Sequence, residues 1–136
     1  MDAHSAHALA VVQRHWNAAA LHWDPEALAA LYATDALLFG GRPALSVGRL
    51  AIRAYFASYA DEIASASLAL TDQHVLQTRG GDLLAQGYGH FNFVLRQGSR
   101  TESRLRTTLL LTSRDDGWLI RQHHFSALPG APPLGR

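Results

Sequence analysis

The chain has 136 residues, of which 48% are hydrophobic and 17% are charged, so a globular domain with a sizeable core is expected over residues 1–136. The formal net charge is +1, and the twelve basic residues are interspersed with eleven acidic ones, which argues against nucleic-acid binding. The chain has no cysteine, which excludes disulfides, thiol nucleophiles and thiolate metal sites.

Location and cofactor use are also constrained by what the sequence lacks. No apolar run approaches the roughly 18 residues of a membrane helix, and the first residues lack the basic segment and apolar run of a secretion signal. We therefore expect a cytoplasmic protein without a membrane partner. His4 and His7 share a helix face, but no carboxylate joins them at ligand spacing, so neither a metal nor a cofactor is predicted.

Three helices are predicted in the first half of the chain. The first spans 5–22, with Ser5 as its cap and an apolar stripe at three- and four-residue spacing. The second spans 24–32, because Asp24 can cap it and Pro25 suits the first helical position. The third spans 48–59, where apolar residues again occupy one face.

Extended segments dominate the rest of the chain, with predicted strands at 36–39, 45–47, 65–78, 83–96, 102–114 and 118–126. Gly98 and Gly117 mark the last two turns, because only glycine enters positive φ freely. Helices followed by long strands indicate an α+β fold, with helices packed on one face of a curved, mainly antiparallel sheet. The Pro/Gly-rich tail, 129–136, is expected to be flexible, which leaves 5–128 as the ordered core.

Polar side chains recur at two-residue spacing on the last three strands, as His90 and Asn92, Arg106 and Thr108, and Gln122 and His124. Each pair points to one face of the sheet. A face that carries imidazole, amide, guanidinium and hydroxyl groups is not a plain core, so we interpret it as the wall of a pocket under the helices. His123 would point to the opposite face, unless a β-bulge intervenes.

Three residues of this wall are predicted to be catalytic: His124, His90 and Arg106. A histidine titrates near pH 6.5, roughly, and can move a proton, although His124 could instead be a structural residue bonded to Ser126 or to a backbone carbonyl. Arg106 keeps its charge, so once buried it needs an anionic or carbonyl partner. That partner is either a ligand oxygen or one of the carboxylates of Asp24, Asp35 and Glu102.

The predicted ligand-binding residues are Trp16, Tyr32, Tyr55, Phe56, Tyr59, Tyr88, Asn92 and Thr108. Aromatic residues at helical spacing are commonly core, but opposite a polar wall they would form the apolar sides of a small-molecule site. The other sheet face is predicted to bind a second copy through an apolar stripe that comprises Leu105, Leu109, Leu111, Leu119 and Phe125.

Several motif spacings resemble the nuclear transport factor 2-like superfamily, over roughly residues 5–128. In the first half they are Trp16, Asp24, Leu28-x-x-Leu31-Tyr32-x-x-Asp35-Ala36 and Gly48-x-x-x-Ile52-x-x-Tyr55-Phe56. In the second half, Trp118, Ile120, His124 and Ser126 are similar to a closing strand of the SnoaL-like subgroup and of the calcium/calmodulin-dependent kinase association domains. The resemblance implies a cone-shaped, cystatin-like α+β roll.

This resemblance implies a pocket but leaves its use open, because the superfamily includes isomerases, dehydratases, epoxide hydrolases and oligomerisation modules. Kinase association domains place arginines in the pocket, whereas this chain has His90 and Phe125 at two such positions. The resemblance thus favours a pocket for a small oxygen-bearing organic molecule, with cofactor-independent isomerase, dehydratase or cyclase chemistry. The alternative is a non-catalytic homodimeric module that binds a ligand or a protein.

Overall fold

The computed structural model describes residues 1–115 and 117–135. Its elements, in chain order, are α1 (Ala3–Ala20), α2 (Pro25–Ala29), β1 (Tyr32–Phe39), β2 (Ser46–Val47), α3 (Arg49–Ala57), β3 (Ile63–Gln77), β4 (Leu83–Leu95), β5 (Arg100–Arg114) and β6 (Gly117–Ala127). The predicted α+β fold is confirmed. Two positions of the predicted last hairpin turn and tail, Asp116 and Arg136, lie outside the described residues.

The strands form one curved sheet in the order β2-β1-β6-β5-β4-β3. β1 and β6 are parallel, and the other neighbouring strands are antiparallel, as predicted for a mainly antiparallel sheet. Register shifts interrupt β3 near Asp72, whose φ is 52°, and β6 at Arg121. Such bulges bend a strand and change which face its next residues occupy.

The helices begin and end at slightly different residues from those predicted. Asp2 is the cap of α1, because its carboxylate accepts the Ser5 N–H at 2.7 Å. Asp24 caps α2 as predicted, but that helix ends at Ala29, so Tyr32 begins β1 and pairs with Ile120 of β6. No helix in the described part of the chain is both long and apolar enough to cross a membrane.

The predicted faces of the sheet are reversed in the structure. Most of the stripe assigned to a partner sheet instead faces the helices, and Leu109, Leu111 and Phe125 are buried in the core. Leu119 is the exception, because it precedes the inward Ile120 and pairs with Thr112 on the outer face. The hydrophobic effect explains this outcome, since the apolar faces of α1 and α3 must pack against the apolar face of the sheet. The polar pairs therefore lie on the outer face.

A bulge in β6 explains why Ile120 and His124 lie on opposite faces, although the polar pairs of β4 and β5 lie on strands that pair without a shift. Ile120 pairs with Leu111, whereas Gln122 pairs with Leu110, so Arg121 is an extra residue in the ladder. Ile120 is buried on the inner face, and regular alternation would have placed His124 there too. With the extra residue, His123 points inward and is fully buried, while His124 points outward and is exposed.

The two predicted turns also differ in their use of glycine. Gly98, between β4 and β5, has φ of 104° and fulfils the predicted role. Between β5 and β6 it is Asp115 that adopts positive φ, at 50°, and Gly117 is the first residue of β6. Aspartate tolerates this region better than most residues, which explains the exchange of roles.

Candidate functional site

A hollow of about 440 Å³ lies between the helices and the inner face of the sheet. Its walls are mainly aromatic, and they come from α1, α3, β4, β6 and the segments that follow α1 and β1. The principal lining side chains are those of Trp16, Trp23, Tyr55, Phe56, Tyr59, Ile63, Phe91, Phe93, Leu105 and Phe125. A pocket with these walls suits a largely apolar ligand.

Edge-to-face contacts hold these rings in place. Trp16 meets Phe91 with 5.8 Å between ring centroids, and the Trp23 ring lies 5.8 Å from that of Phe56. The indole N–H of Trp23 also donates to the Phe56 carbonyl at 3.0 Å, which fixes the start of α2 to α3. Ring pairs of this geometry add stability beyond the area they bury, so the walls are preorganised.

The loop that follows β1 lines the hollow with Gly40 and Gly41. The Gly41 N–H donates to the Tyr55 hydroxyl at 2.8 Å. A side chain at Gly40 would collide with the Tyr55 ring and with Phe125, so glycine is required for this close approach. Burial raises the pKa of Tyr55, which therefore stays neutral and keeps a hydroxyl proton for donation.

Beneath the lining rings lies a buried pair, Tyr32 and His123. The Tyr32 hydroxyl is 2.9 Å from His123 Nδ1, and neither residue is exposed to solvent. Burial lowers the pKa of His123 to about 3 and raises that of Tyr32, so both groups are neutral at ordinary pH. Their rings touch Phe125 and Phe56, which line the hollow.

The polar residues predicted as a pocket wall do share one face, but that face is turned away from the helices. Tyr88, Arg106 and Ser126 are adjacent across three strands, and Thr108 pairs with His124. They border a separate outer groove of about 620 Å³. The prediction that these groups point into the hollow is therefore wrong.

Two of the predicted catalytic residues, Arg106 and His124, border the outer groove together, whereas His90 does not border it. Arg106 and His124 are exposed, and His90 lies 3.9 Å from the Glu102 carboxylate. Asp35 is also exposed, on β1, and pairs with Arg121 at 3.6 Å. An exposed arginine needs no buried partner, so neither of the two kinds of partner considered for Arg106 is required.

The predicted ligand-binding residues divide between the two faces. Trp16, Tyr55, Phe56 and Tyr59 line the hollow, and Tyr32 lies beneath it. Tyr88, Asn92 and Thr108 are on the outer face, where Arg104 lies 3.9 Å above the Tyr88 ring.

Four further aromatic lining residues are not among those predicted to bind a ligand, namely Trp23, Phe91, Phe93 and Phe125. Phe91 and Phe93 alternate with His90 and Asn92 in the chain, so they lie on the opposite face of β4 from these polar residues. This alternation was the signal in the sequence that could have identified them as lining residues.

No charged side chain is among the described residues that line the hollow. Within the described part of the chain, no three His, Asp or Glu side chains converge as a metal ion would need. The polar groups in reach of a ligand are therefore neutral ones, chiefly tyrosine hydroxyls and indole N–H groups.

Comparison with known proteins agrees with this architecture. The SnoaL-like domain profile matches residues 9–130. A protein from Xanthomonas campestris, described as a calcium/calmodulin-dependent protein kinase II association domain, is 26% identical with a TM-score of 0.80, and the match covers 96% of this chain and 91% of that one. No curated protein matches the sequence.

Two more distant solved structures share the fold. One, from Streptomyces avermitilis, is named as a dehydratase of the NTF2-like family; it is 17% identical with a TM-score of 0.77, over 95% of this chain and all of that one (100%). The other is Aln2 from a Streptomyces species, 13% identical with a TM-score of 0.77 over 93% of each chain. By its profile match, the chain belongs to the SnoaL-like domain family, within the nuclear transport factor 2-like fold.

Proposed function

We propose that this protein is a single domain that binds a small, flat and mostly apolar molecule in the hollow. The observation that carries the proposal is an aromatic enclosure of about 440 Å³ without a charged residue in its described lining. Small-molecule sites typically enclose about 300–1,000 Å³ and combine apolar walls with a few polar groups. The Phe91 ring lies 5.8 Å from that of Trp16 and 5.3 Å from that of Phe125, and these rings provide flat surfaces for a ring system.

Any turnover in this hollow would use neutral groups. Isomerisation, dehydration or cyclisation without a cofactor fits this condition, with the lining hydroxyls of Tyr55 and Tyr59 in place of the predicted catalytic residues His124, His90 and Arg106. The Streptomyces avermitilis protein named as a dehydratase supports the same class. The non-catalytic alternative is a binding module that uses the same walls, and the absence of a charged acid or base in the described lining favours it.

Paired phenylalanine substitutions test the site. Phe125 lines the hollow, whereas Phe39 is on the outer face, 41% exposed and against His124. We expect Phe125→Ala to weaken binding of 1-tetralone, measured by isothermal titration calorimetry, about tenfold, because a stacking partner of about 0.5–1.5 kcal/mol and its buried area are lost. Phe39→Ala should leave the affinity unchanged. The reverse pattern would place the ligand on the outer face.

We also propose that the outer face binds a second copy of the chain, through residues other than those predicted. One largely apolar row crosses the sheet in register, and it comprises Val47, Leu37, Gln122, Leu110, Leu84 and Leu76. Val47 is 64% exposed and Leu76 70% exposed, so the two ends of the row leave apolar surface in contact with water. A symmetric dimer would cover this row from both sides.

Light scattering at micromolar concentration tests the dimer. Leu110→Arg places a charge at the centre of the row and should give a monomer with an unchanged circular dichroism spectrum. Leu50→Arg is the matched control, since Leu50 is 82% exposed on α3 and away from the sheet. A monomeric parent protein, or a dimer that survives Leu110→Arg, would contradict the proposal.

A further inference from the structure

The outer groove of about 620 Å³ is a second concave site, and its chemistry differs from that of the hollow. Residues of four neighbouring strands, β3 to β6, line it. Its described lining is mainly polar and includes one arginine, Arg106, together with several hydroxyl groups. A site with these groups suits a polar ligand, whereas the aromatic hollow suits an apolar one.

The bulge of β3 shapes one side of this groove. Asp72 has φ of 52°, and the side-chain amide of Gln73 donates to the carbonyls of Thr71 and Tyr88, both at 3.1 Å. A side chain at Gly87 would collide with the Asp72 carbonyl oxygen, so glycine is required for this close approach of β3 to β4. These contacts hold the shape of the groove in the absence of a ligand, and such preorganisation lowers the cost of binding.

The charges around the groove leave Arg106 unmatched. Asp72 is the one acidic residue in the described lining, and its carboxylate lies 3.8 Å from the guanidinium of Arg104. That guanidinium also lies 3.9 Å over the Tyr88 ring. Among the residues that the structure describes, no carboxylate lies within ion-pair distance of Arg106. Because an arginine stays charged and presents five N–H donors, the groove offers a cation to an anionic ligand.

Hydroxyl groups surround this guanidinium on the same face of the sheet. Tyr88 and Ser126 pair with Arg106 on its two sides, and directly paired residues have Cβ atoms about 4.5–5.5 Å apart. Thr108 follows two residues later, about 7 Å along the strand. The Gln86 side-chain amide donates to the Thr108 oxygen at 3.0 Å, so the threonine proton remains for another acceptor. This arrangement fits an oxyanion, since a guanidinium can bind two of its oxygens at once.

We propose that the outer groove binds a small organic anion, with Arg106 holding the anionic group and Thr108 donating a further hydrogen bond. The anionic group is a carboxylate or a phosphate ester, because both present paired oxygens to a guanidinium. The groove adjoins the apolar row that we assign to a second copy of the chain, since Gln122 of the row is two residues from His124 of the groove. A second copy is therefore the competing occupant.

Matched probes isolate the negative charge. Benzoate and benzamide have the same ring and nearly the same shape, but only benzoate is charged, and phenyl phosphate is the second anionic probe. Titration of the isotope-labelled parent protein, followed by nuclear magnetic resonance, gives the affinity and the location together. We expect the better anion to bind about fivefold more tightly than benzamide, as for one exposed ion pair, and to shift the amide signals of Arg106, Thr108 and His124. The better of the two anions identifies the ligand class as a carboxylate or a phosphate ester.

Three variants assign the effect to its residues. Arg106→Gln keeps a polar side chain without the charge, and it should lower the ratio of anion to benzamide affinity to about one. Thr108→Val removes one hydroxyl and should weaken anion binding about two- to fivefold. The control is Arg114→Gln, since Arg114 is an exposed arginine of the same strand that is not in the described lining of the groove. It should leave both affinities unchanged.

Four results would overturn the proposal. The first is equal binding of both anions and benzamide by the parent protein, and the second is an equal loss in Arg106→Gln and Arg114→Gln, which would reflect net charge alone. The third is a set of shifted signals confined to the hollow, around Trp16 and Phe91. The fourth is anion binding by Leu110→Arg but not by the parent protein, which would show that a second copy covers the groove.

Discussion

His123 and His124 are adjacent in the chain, yet their surroundings give them different chemistry. His124 is exposed on the outer face, 5.6 Å from the Phe39 ring between centroids. His123 is fully buried, bonded to Tyr32, and its pKa is lowered to about 3, mainly by desolvation. A histidine held neutral in this way is a hydrogen-bonding group at physiological pH.

The buried imidazole predicts a pH-dependent stability. The unfolded chain protonates His123 below its ordinary pKa of about 6.5, whereas the folded protein does so only near 3. Between these values the unfolded state binds more protons, so the unfolding free energy should fall as pH decreases, by up to about 1.4 kcal/mol per pH unit. Urea denaturation between about pH 7 and pH 4.5 measures this slope.

Two variants separate His123 from the other titrating groups. His123→Gln keeps a partner for the Tyr32 hydroxyl but does not titrate, so its slope over the same range should be shallower by up to the same amount. His124→Gln removes the exposed neighbour and should retain the slope of the parent protein. Equal slopes for the parent and His123→Gln would show that the folded imidazole is accessible to protons.

At the scale of the element, β6 determines which histidine is inside. The extra residue Arg121 changes the parity of the strand, so Ile120, His123 and Phe125 all face inward. The Arg121 side chain itself is about half exposed and lies 3.6 Å from the carboxylates of Asp35 and Asp82. The position in the ladder therefore matters more than the arginine side chain.

Insertion and substitution in this strand should have very different effects. Ile120 pairs with Leu111 and Gln122 with Leu110, so an alanine inserted between Gln122 and His123 changes the parity of everything that follows. It would turn His123 and Phe125 toward solvent or force the strand to slip, so we expect a loss of at least about 3 kcal/mol or no folding. Arg121→Ala keeps the bulge and loses only surface ion pairs, so it should cost less than about 1 kcal/mol. Thermal denaturation of both proteins is the measurement, and an insertion as mild as the substitution would show that the strand tolerates either parity.

This strand also marks the limit of prediction from the sequence. The long strands and the α+β order follow from periodicity and turn residues, and the predicted segments 83–96 and 102–114 overlap β4 and β5 closely. The bulge leaves no comparable signal, because a single inserted residue preserves the local composition. The sequence assigns His124 to the pocket with the polar pairs of β4 and β5, and it predicts that His123 points to the opposite face unless a bulge intervenes.

At the scale of the whole molecule, the helices decide which sheet face is the interior. Leu9, Val12 and Trp16 of α1 and Phe56 of α3 are buried, and they require an apolar surface opposite them. The face with Leu68, Phe91 and Leu109 provides that surface. Side-chain chemistry alone favours the polar pairs as a pocket wall, but the cost of burying Arg106 and its polar neighbours without partners is the stronger constraint.

We propose that the two faces of the sheet bind different partners. The inner face, with its aromatic hollow, binds a small molecule, and the outer face, with its apolar row, binds a second copy. The two proposals are independent, because no residue of the row is among the described lining of the hollow. Leu110→Arg, which should abolish the dimer, is therefore expected to leave the calorimetric affinity for 1-tetralone within about twofold, as for distant sites that share no partners. A larger loss would show that the dimer supports the walls of the hollow.

The location of a bound ligand tests the central claim most directly. We would soak crystals of the parent protein with 1-tetralone and compare the difference density in the hollow and in the outer groove. Our account predicts density between Trp16 and Phe125, under α1 and α3. Density between Arg106 and His124 in the outer groove, with an empty hollow, would contradict this account and would show that the ligand binds to the outer face of the sheet.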